Sequence, residues 1–153
     1  MSATKATIVT NHGTIEVELW ADKAPNHVEN FKKLAEAGFY DNLIFHRVIP
    51  DFMVQTGCPS GTGTGGPGWN VDAEFNDASF EKGTLGMARS QAENSAGSQF
   101  FICTASTPHL NGQYTAFGKV TTGQDVADAI SAVSRDGGDR PHDEVTMEKV
   151  TVE

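Results

Sequence analysis

Ile44-Phe-His-Arg-Val-Ile-Pro-Asp-Phe-Met-Val-Gln-Thr-Gly57 sets one arginine, Arg47, among Phe45, Val48, Ile49, Phe52, Met53 and Val54. Phe45, Arg47 and Ile49 alternate with the period of a strand, so the guanidinium projects from a face that is otherwise apolar. Pro50-Asp51 reads as a turn, because proline presets a backbone dihedral and aspartate hydrogen-bonds its own backbone. Folding the run back there sets Gln55 opposite Arg47. Two readings of the arginine are open at this point. It belongs either to a core hairpin whose cation reaches solvent along its aliphatic stem, or to a pocket that grips an apolar group and aims a fixed donor fork at a carbonyl.

On the N-terminal side, residues 5–10 and 14–20 flank Asn11-His12-Gly13, and Ile15, Val17 and Leu19 alternate with polar neighbours, which predicts a hairpin with one buried face. Residues 22–38 change to a helical period, with Val28, Phe31, Leu34 and Ala35 on one stripe, Pro25 near the start and Gly38 as the stop. On the C-terminal side, residues 57–68 form a loop holding six glycines and two prolines. Gly61, Gly63 and Gly66 match GxGxxG, but Pro67-Gly68 prevents the helix that a dinucleotide site needs there. Strands are predicted at 84–88, 99–104 and 116–120. Thr122-Gly-Gln-Asp125 has a capping-box pattern ahead of Val126, Ile130 and Val133 at helical spacing. Val145, Met147, Val150 and Val152 close the chain with a slip of parity that predicts a bulge.

Eight short strands and two helices read as a mainly β fold, an antiparallel sheet closed into an eight-stranded barrel with the helices plugging its ends. The 153 residues fit one domain, with a core large enough to need no disulfide or metal. A net charge of −9 and a pI near 4.9 disfavour nucleic acid and membrane surfaces as partners. The first residues lack the apolar core of a leader, and no later run reaches the length of a membrane span, so the chain is read as cytoplasmic, and its length as that of a monomer. Cys58 and Cys103 are read as free thiols.

There is no nucleophile elbow, and His12, His27, His46, His109 and His142 show no ligand spacing, so neither metal nor cofactor is expected. Asp72, Glu74 and Asp77 read as a solvated loop face. The field narrows to chemistry that needs none of these groups. A second segment, residues 87–104, places Gln99 and Phe101 on one strand face, again an amide beside an aromatic ring.

Taken together, Phe45-His-Arg-Val-Ile-Pro-Asp-Phe-Met-Val-Gln, Gly63-Thr-Gly-Gly, Gly97-Ser-Gln-Phe-Phe-Ile and Phe117-Gly-Lys-Val resemble, in order, the motifs of the cyclophilins, peptidyl-prolyl cis-trans isomerases built on an eight-stranded barrel capped by two helices. The resemblance spans essentially the whole chain. It implies that Arg47 is the catalytic residue and that Gln55 hydrogen-bonds and orients it. It also implies that Phe52, Met53, Phe101 and Leu110 wall the proline pocket, that Ala88 and Gln99 line the groove for the residue before proline, and that Arg89 offers backbone contacts. Tyr114 falls where many members carry histidine. His109 stands where well-studied eukaryotic members have the tryptophan that donates to cyclosporin, so that drug is expected to bind weakly. Residues 89–96 run one residue longer than in those members. The partners implied are X-Pro peptides and unfolded proteins. The alternative is a proline-peptide-binding module or chaperone with incidental turnover. A barrel carrying a small apolar ligand in its lumen fits less well, because bulky side chains fill small barrels.

Overall fold

The computed structural model describes residues 4–63 and 65–153. The first three residues, part of the stretch read for a leader, and Thr64 of the Gly63-Thr-Gly-Gly motif lie outside them. The elements in order are β1 (Thr4–Thr10), β2 (Gly13–Leu19), α1 (Pro25–Glu36), β3 (Leu43–Ile44), β4 (Arg47–Ile49), β5 (Met53–Thr56), β6 (Thr84–Met87), β7 (Phe100–Cys103), a 3-10 turn (Pro108–Leu110), β8 (Ala116–Thr122), α2 (Gln124–Ser131) and β9 (Thr146–Val152). All pairings are antiparallel, and the sheet order is β3-β9-β1-β2-β8-β6-β7-β5-β4.

Among the described residues there are nine strands rather than the eight expected, because the strand read through Phe45, Arg47 and Ile49 is broken at Phe45-His46. Phe45 turns into the barrel, 1 % exposed, and its N–H donates to Val145 O rather than to a ladder partner. Arg47 and Ile49 then face outward. The break explains how the sheet closes. Its two end strands, β3 and β4, are consecutive in the chain, so covalent continuity forms the seam where a ladder would otherwise run, helped by Thr56 Oγ1 donating to Ile44 O at 2.9 Å.

Strand periodicity sorts the apolar residues into two clusters. Ile8, Ile15, Leu19, Val54, Leu85, Phe100, Ile102 and Phe117 point into the barrel, where Val28, Phe31 and Leu34 of α1 and Ile130 of α2 join them. Met53, Phe101 and Cys103 point outward from β5 and β7 and gather with Phe80, Leu110 and Ala116. Hence β6 and β7 are buried on both faces. The bulge expected in the last strand is present, with Val9 paired to Lys149 and Thr10 to Met147, which leaves Glu148 unpaired. Among the described residues, no helix is long and apolar enough to cross a membrane.

The helix starts differ from the sequence reading. α2 begins behind Gly123 at φ 95, with no side-chain cap, so the capping box at Thr122 does not form. A Cβ at Gly123 would press on Thr14 O, which excludes other residues there. α1 draws its cap from elsewhere: Glu74 accepts the N–H of Asn26 at 3.2 Å and of His27 at 2.8 Å. A carboxylate at a helix N-terminus also complements the helix dipole. Asp77 meets Lys23 at 2.8 Å.

His27 lies under that cap, fully buried, with Nε2 against Asp72 O at 2.9 Å and Nδ1 buried without a partner. Burial pushes its pKa below 6.5, outweighing Asp72 and Glu74, which raise it. A folded-state pKa below the unfolded value means that the unfolded chain binds the extra proton, so this stability is full above pH 6.5 and declines as pH falls through that value. His27→Gln, which keeps a donor for Asp72 O, is expected to show a smaller loss of melting temperature between about pH 7.5 and about pH 5 than the parent protein. An equal loss in both proteins would assign the acid sensitivity to other groups.

Candidate active site

Register places the site before any side chain is considered. Arg47 pairs with Gln55, Gln55 with Phe101, Phe101 with Gly86, and Gly86 with Ala116, so one outward row crosses β4, β5, β7, β6 and β8. The row runs from a cation through an amide to an aromatic ring. Gly86 is required by that ring: a Cβ there would lie 2.5 Å from Phe101 Cζ and 2.6 Å from Phe80 Cε1. Phe101 therefore lies over the glycine, stacked on Phe80 at 5.8 Å and met edge-on by Tyr114 at 5.9 Å.

Above this row is a pocket of about 130 Å³ lined by Arg47, Phe52, Met53, Gln55, Ala88, Arg89, Phe101, Leu110 and Tyr114. The structure thus gathers nine of the sequence-derived candidates around one cavity, and they are contributed by the sheet, the turn after β4 and the segment around the 3-10 turn. Asp51 at φ 58 makes the turn that delivers Phe52. His109 is exposed at the rim and stacks on Phe52, 6.0 Å between centroids. Gln99 lines a second cavity of about 630 Å³, which shares Gln55, Ala88 and Arg89 with the pocket and continues it between the glycine loop and residues 95–99.

The polar contacts refine the expected roles. Gln55 Nε2 donates to Gln99 Oε1 at 3.0 Å, and Gln99 Nε2 donates to Gly63 O and Gly65 O, both at 3.0 Å. Beyond the strand ladder, no side-chain hydrogen bond joins Gln55 to Arg47. The side chain of Arg47 is exposed and has no hydrogen-bond or carboxylate partner among the described residues. Arg89 uses its guanidinium on Gln113 O at 2.6 Å and Ser90 O at 3.0 Å and lies 4.7 Å above the Tyr114 ring, so its side chain braces the groove wall.

α1 and the residues after it hold the far wall. Asn30 Nδ2 donates to Gly97 O and its Oδ1 accepts Trp69 Nε1–H, both at 2.8 Å, while Tyr40 OH donates to Ser98 O at 2.9 Å. The glycine loop folds around Cys58 Sγ, which receives the N–H of Gly63 at 3.3 Å and of Gly65 at 3.2 Å. Burial raises the pKa of that thiol, but Ser60, Gly65 and Gly63 outweigh it and bring it down to about 6. Cys58 and Cys103 are both free.

Sequence reasoning passed over a third cavity, of about 460 Å³, where His46 and Arg140 meet the other side of Arg47. Arg140 gave no local signal, being the last cation of a polar loop. Among the described residues, no three His, Cys, Asp or Glu side chains converge as a metal site.

A profile of the family described as cyclophilin type peptidyl-prolyl cis-trans isomerase/CLD matches residues 5–152. A peptidyl-prolyl cis-trans isomerase of Synechococcus elongatus is 53 % identical over 116 residues, covering 76 % of this chain and 79 % of that protein. Peptidyl-prolyl cis-trans isomerase B of Bacillus subtilis is 53 % identical over 119 residues, covering 76 % and 82 %. A crystal structure of a Cryptosporidium parvum cyclophilin in the presence of the dipeptide Ala-Pro superposes with TM-score 0.93 at 35 % identity, over 97 % of this chain and 98 % of that one.

Proposed function

The chain belongs to the cyclophilin-type peptidyl-prolyl cis-trans isomerase family and is an isomerase of X-Pro bonds, and we propose that it turns these bonds by donation from Arg47 to a prolyl ring held in the pocket beside it. The observation that carries this reading is the unpartnered, exposed guanidinium of Arg47 on the same sheet row as the buried ring of Phe101.

Rotation of a peptide bond is opposed by about 18–20 kcal/mol, because the nitrogen lone pair is delocalised into the carbonyl. In the twisted transition state that lone pair localises on the prolyl nitrogen. A donor aimed at it stabilises the transition state more than the planar ground state. The planar fork of Arg47 has a second donor for the prolyl carbonyl, which anchors the part of the substrate that does not turn. Phe52, Met53, Phe101 and Leu110 hold the ring, and the residue before proline lies along Ala88 and Gln99. With the nitrogen of Gln55 committed to Gln99, its Oε1 is the acceptor left to steady Arg47 once substrate is bound. Tyr114 and His109 close the rim.

The test is the cis-to-trans exchange rate of a short X-Pro peptide, measured by NMR exchange spectroscopy with and without catalytic amounts of the protein. Exchange lifts from the uncatalysed scale of tens to hundreds of seconds. Peptide binding without acceleration would replace this reading with that of a proline-peptide-binding module.

A further inference from the structure

We propose that the cavity on the far side of Arg47 binds an acidic side chain carried by the substrate in the residues that follow the proline. This rests on the isomerase reading above and names the substrate class that the site prefers. The cavity shares Arg47 and Gln55 with the proline pocket and adds His46, Gly63, Asp136 and Arg140. The residue before proline lies along Ala88 and Gln99, so the chain that leaves beyond the prolyl carbonyl passes the guanidinium and enters this space.

The charge distribution points to the occupant. The protein carries a net charge of −9, yet Arg47, Arg89 and Arg140, three of its four arginines, surround this junction. Among the described residues none of the three is ion-paired with a carboxylate, whereas Lys23, Lys82, Lys119, Arg135 and Lys149 are. Arg140 is held by Gly61 O, a carbonyl that fixes the guanidinium without cancelling its charge. No aspartate or glutamate lines the pocket or the groove. Asp136 is the carboxylate lining the third cavity, and its Oδ1 already accepts the N–H of Gly138 at 2.8 Å and of Arg140 at 3.1 Å. Nearby stands His46, 8 % exposed, with Nδ1 buried and unpartnered.

Such a site is a local positive well in a repelling surface. An anion is drawn toward this junction. Arg140 and Arg47 keep free N–H donors of the planar kind that a carboxylate accepts in pairs. A peptide with glutamate or aspartate after proline gains contacts there that a neutral or basic one lacks.

The experiment measures kcat/KM by NMR exchange for a host X-Pro peptide carrying Glu, Gln or Lys at each position flanking the proline. Glu after proline is expected to exceed Gln by about threefold to tenfold, Lys to fall below Gln, and substitutions before proline to have little effect. The Glu/Gln ratio is expected to shrink at about 0.5 M salt. Arg140→Gln is expected to move the ratio toward one, and Asp136→Asn, which keeps an acceptor for both amides, to raise it. If Arg140→Gln does not fold, Asp136→Asn and the salt series decide. A ratio near one at every position, with the Gln peptide still accelerated, overturns this inference and leaves the isomerase reading standing. No acceleration of any peptide overturns both.

Discussion

Arg47→Ala will lower kcat/KM for a neutral X-Pro peptide by about 10²–10³-fold, the usual cost of removing one donor placed for the transition state. It will do so without unfolding the protein. The side chain is exposed and makes no hydrogen bond or ion pair among the described residues, so its loss is expected to shift stability by less than ~0.5 kcal/mol. Arg47→Lys keeps the charge but has no planar fork to serve nitrogen and carbonyl together, and should recover only a small part of the rate. Exchange rates and thermal melts on the same samples separate the two quantities. A well-folded alanine variant with near-parental turnover would remove Arg47 from the mechanism.

Phe31→Ala is expected to do the reverse. Phe31 is fully buried on α1 and meets Tyr40, Phe100 and Phe117 at centroid distances of 5.2, 5.3 and 5.6 Å, which makes it a central contact between the helix plug and the barrel interior, beside Val28 and Leu34. Truncation leaves a cavity that these rings cannot all collapse into, at a cost of about 3–5 kcal/mol. The outward row from Arg47 to Phe101 is untouched, so turnover per folded molecule should stay close to parental. Urea unfolding combined with exchange rates below the transition tests both halves. A small change in stability would show that helix and barrel do not form one cooperative core.

The barrel and the arginine site were legible because both are written in alternation. Ile15, Val17 and Leu19 declare an inward face, and the turn at Pro50-Asp51 sets Arg47 opposite Gln55, as the register confirms. The break at Phe45-His46 was hidden, since Phe45, Arg47 and Ile49 keep a strand period although Phe45 faces the interior and the other two face outward. Hydropathy alternation does not distinguish two apolar faces of one sheet. Glu74 read as a solvated carboxylate because its partners, the first amides of α1, lie far away in the chain. Gln99 had a role assigned but not its partners: the carbonyls of Gly63 and Gly65 are backbone groups, to which side-chain identity gives no clue. Arg140 went unnoticed for the same reason of distance.

The placement of β9 between β1 and β3 bears on how this protein is made. During vectorial synthesis the hairpin of β1 and β2 leaves the ribosome early, but its outer edge and the start of the seam strand wait for residues 146–152. Until those emerge, the barrel has a gap one strand wide and Phe45 has no Val145 carbonyl to seat it. Arg47, two residues later, is then unanchored on that side. Such long-range pairing makes closure a late event in folding, one that cannot precede the emergence of residues 146–152.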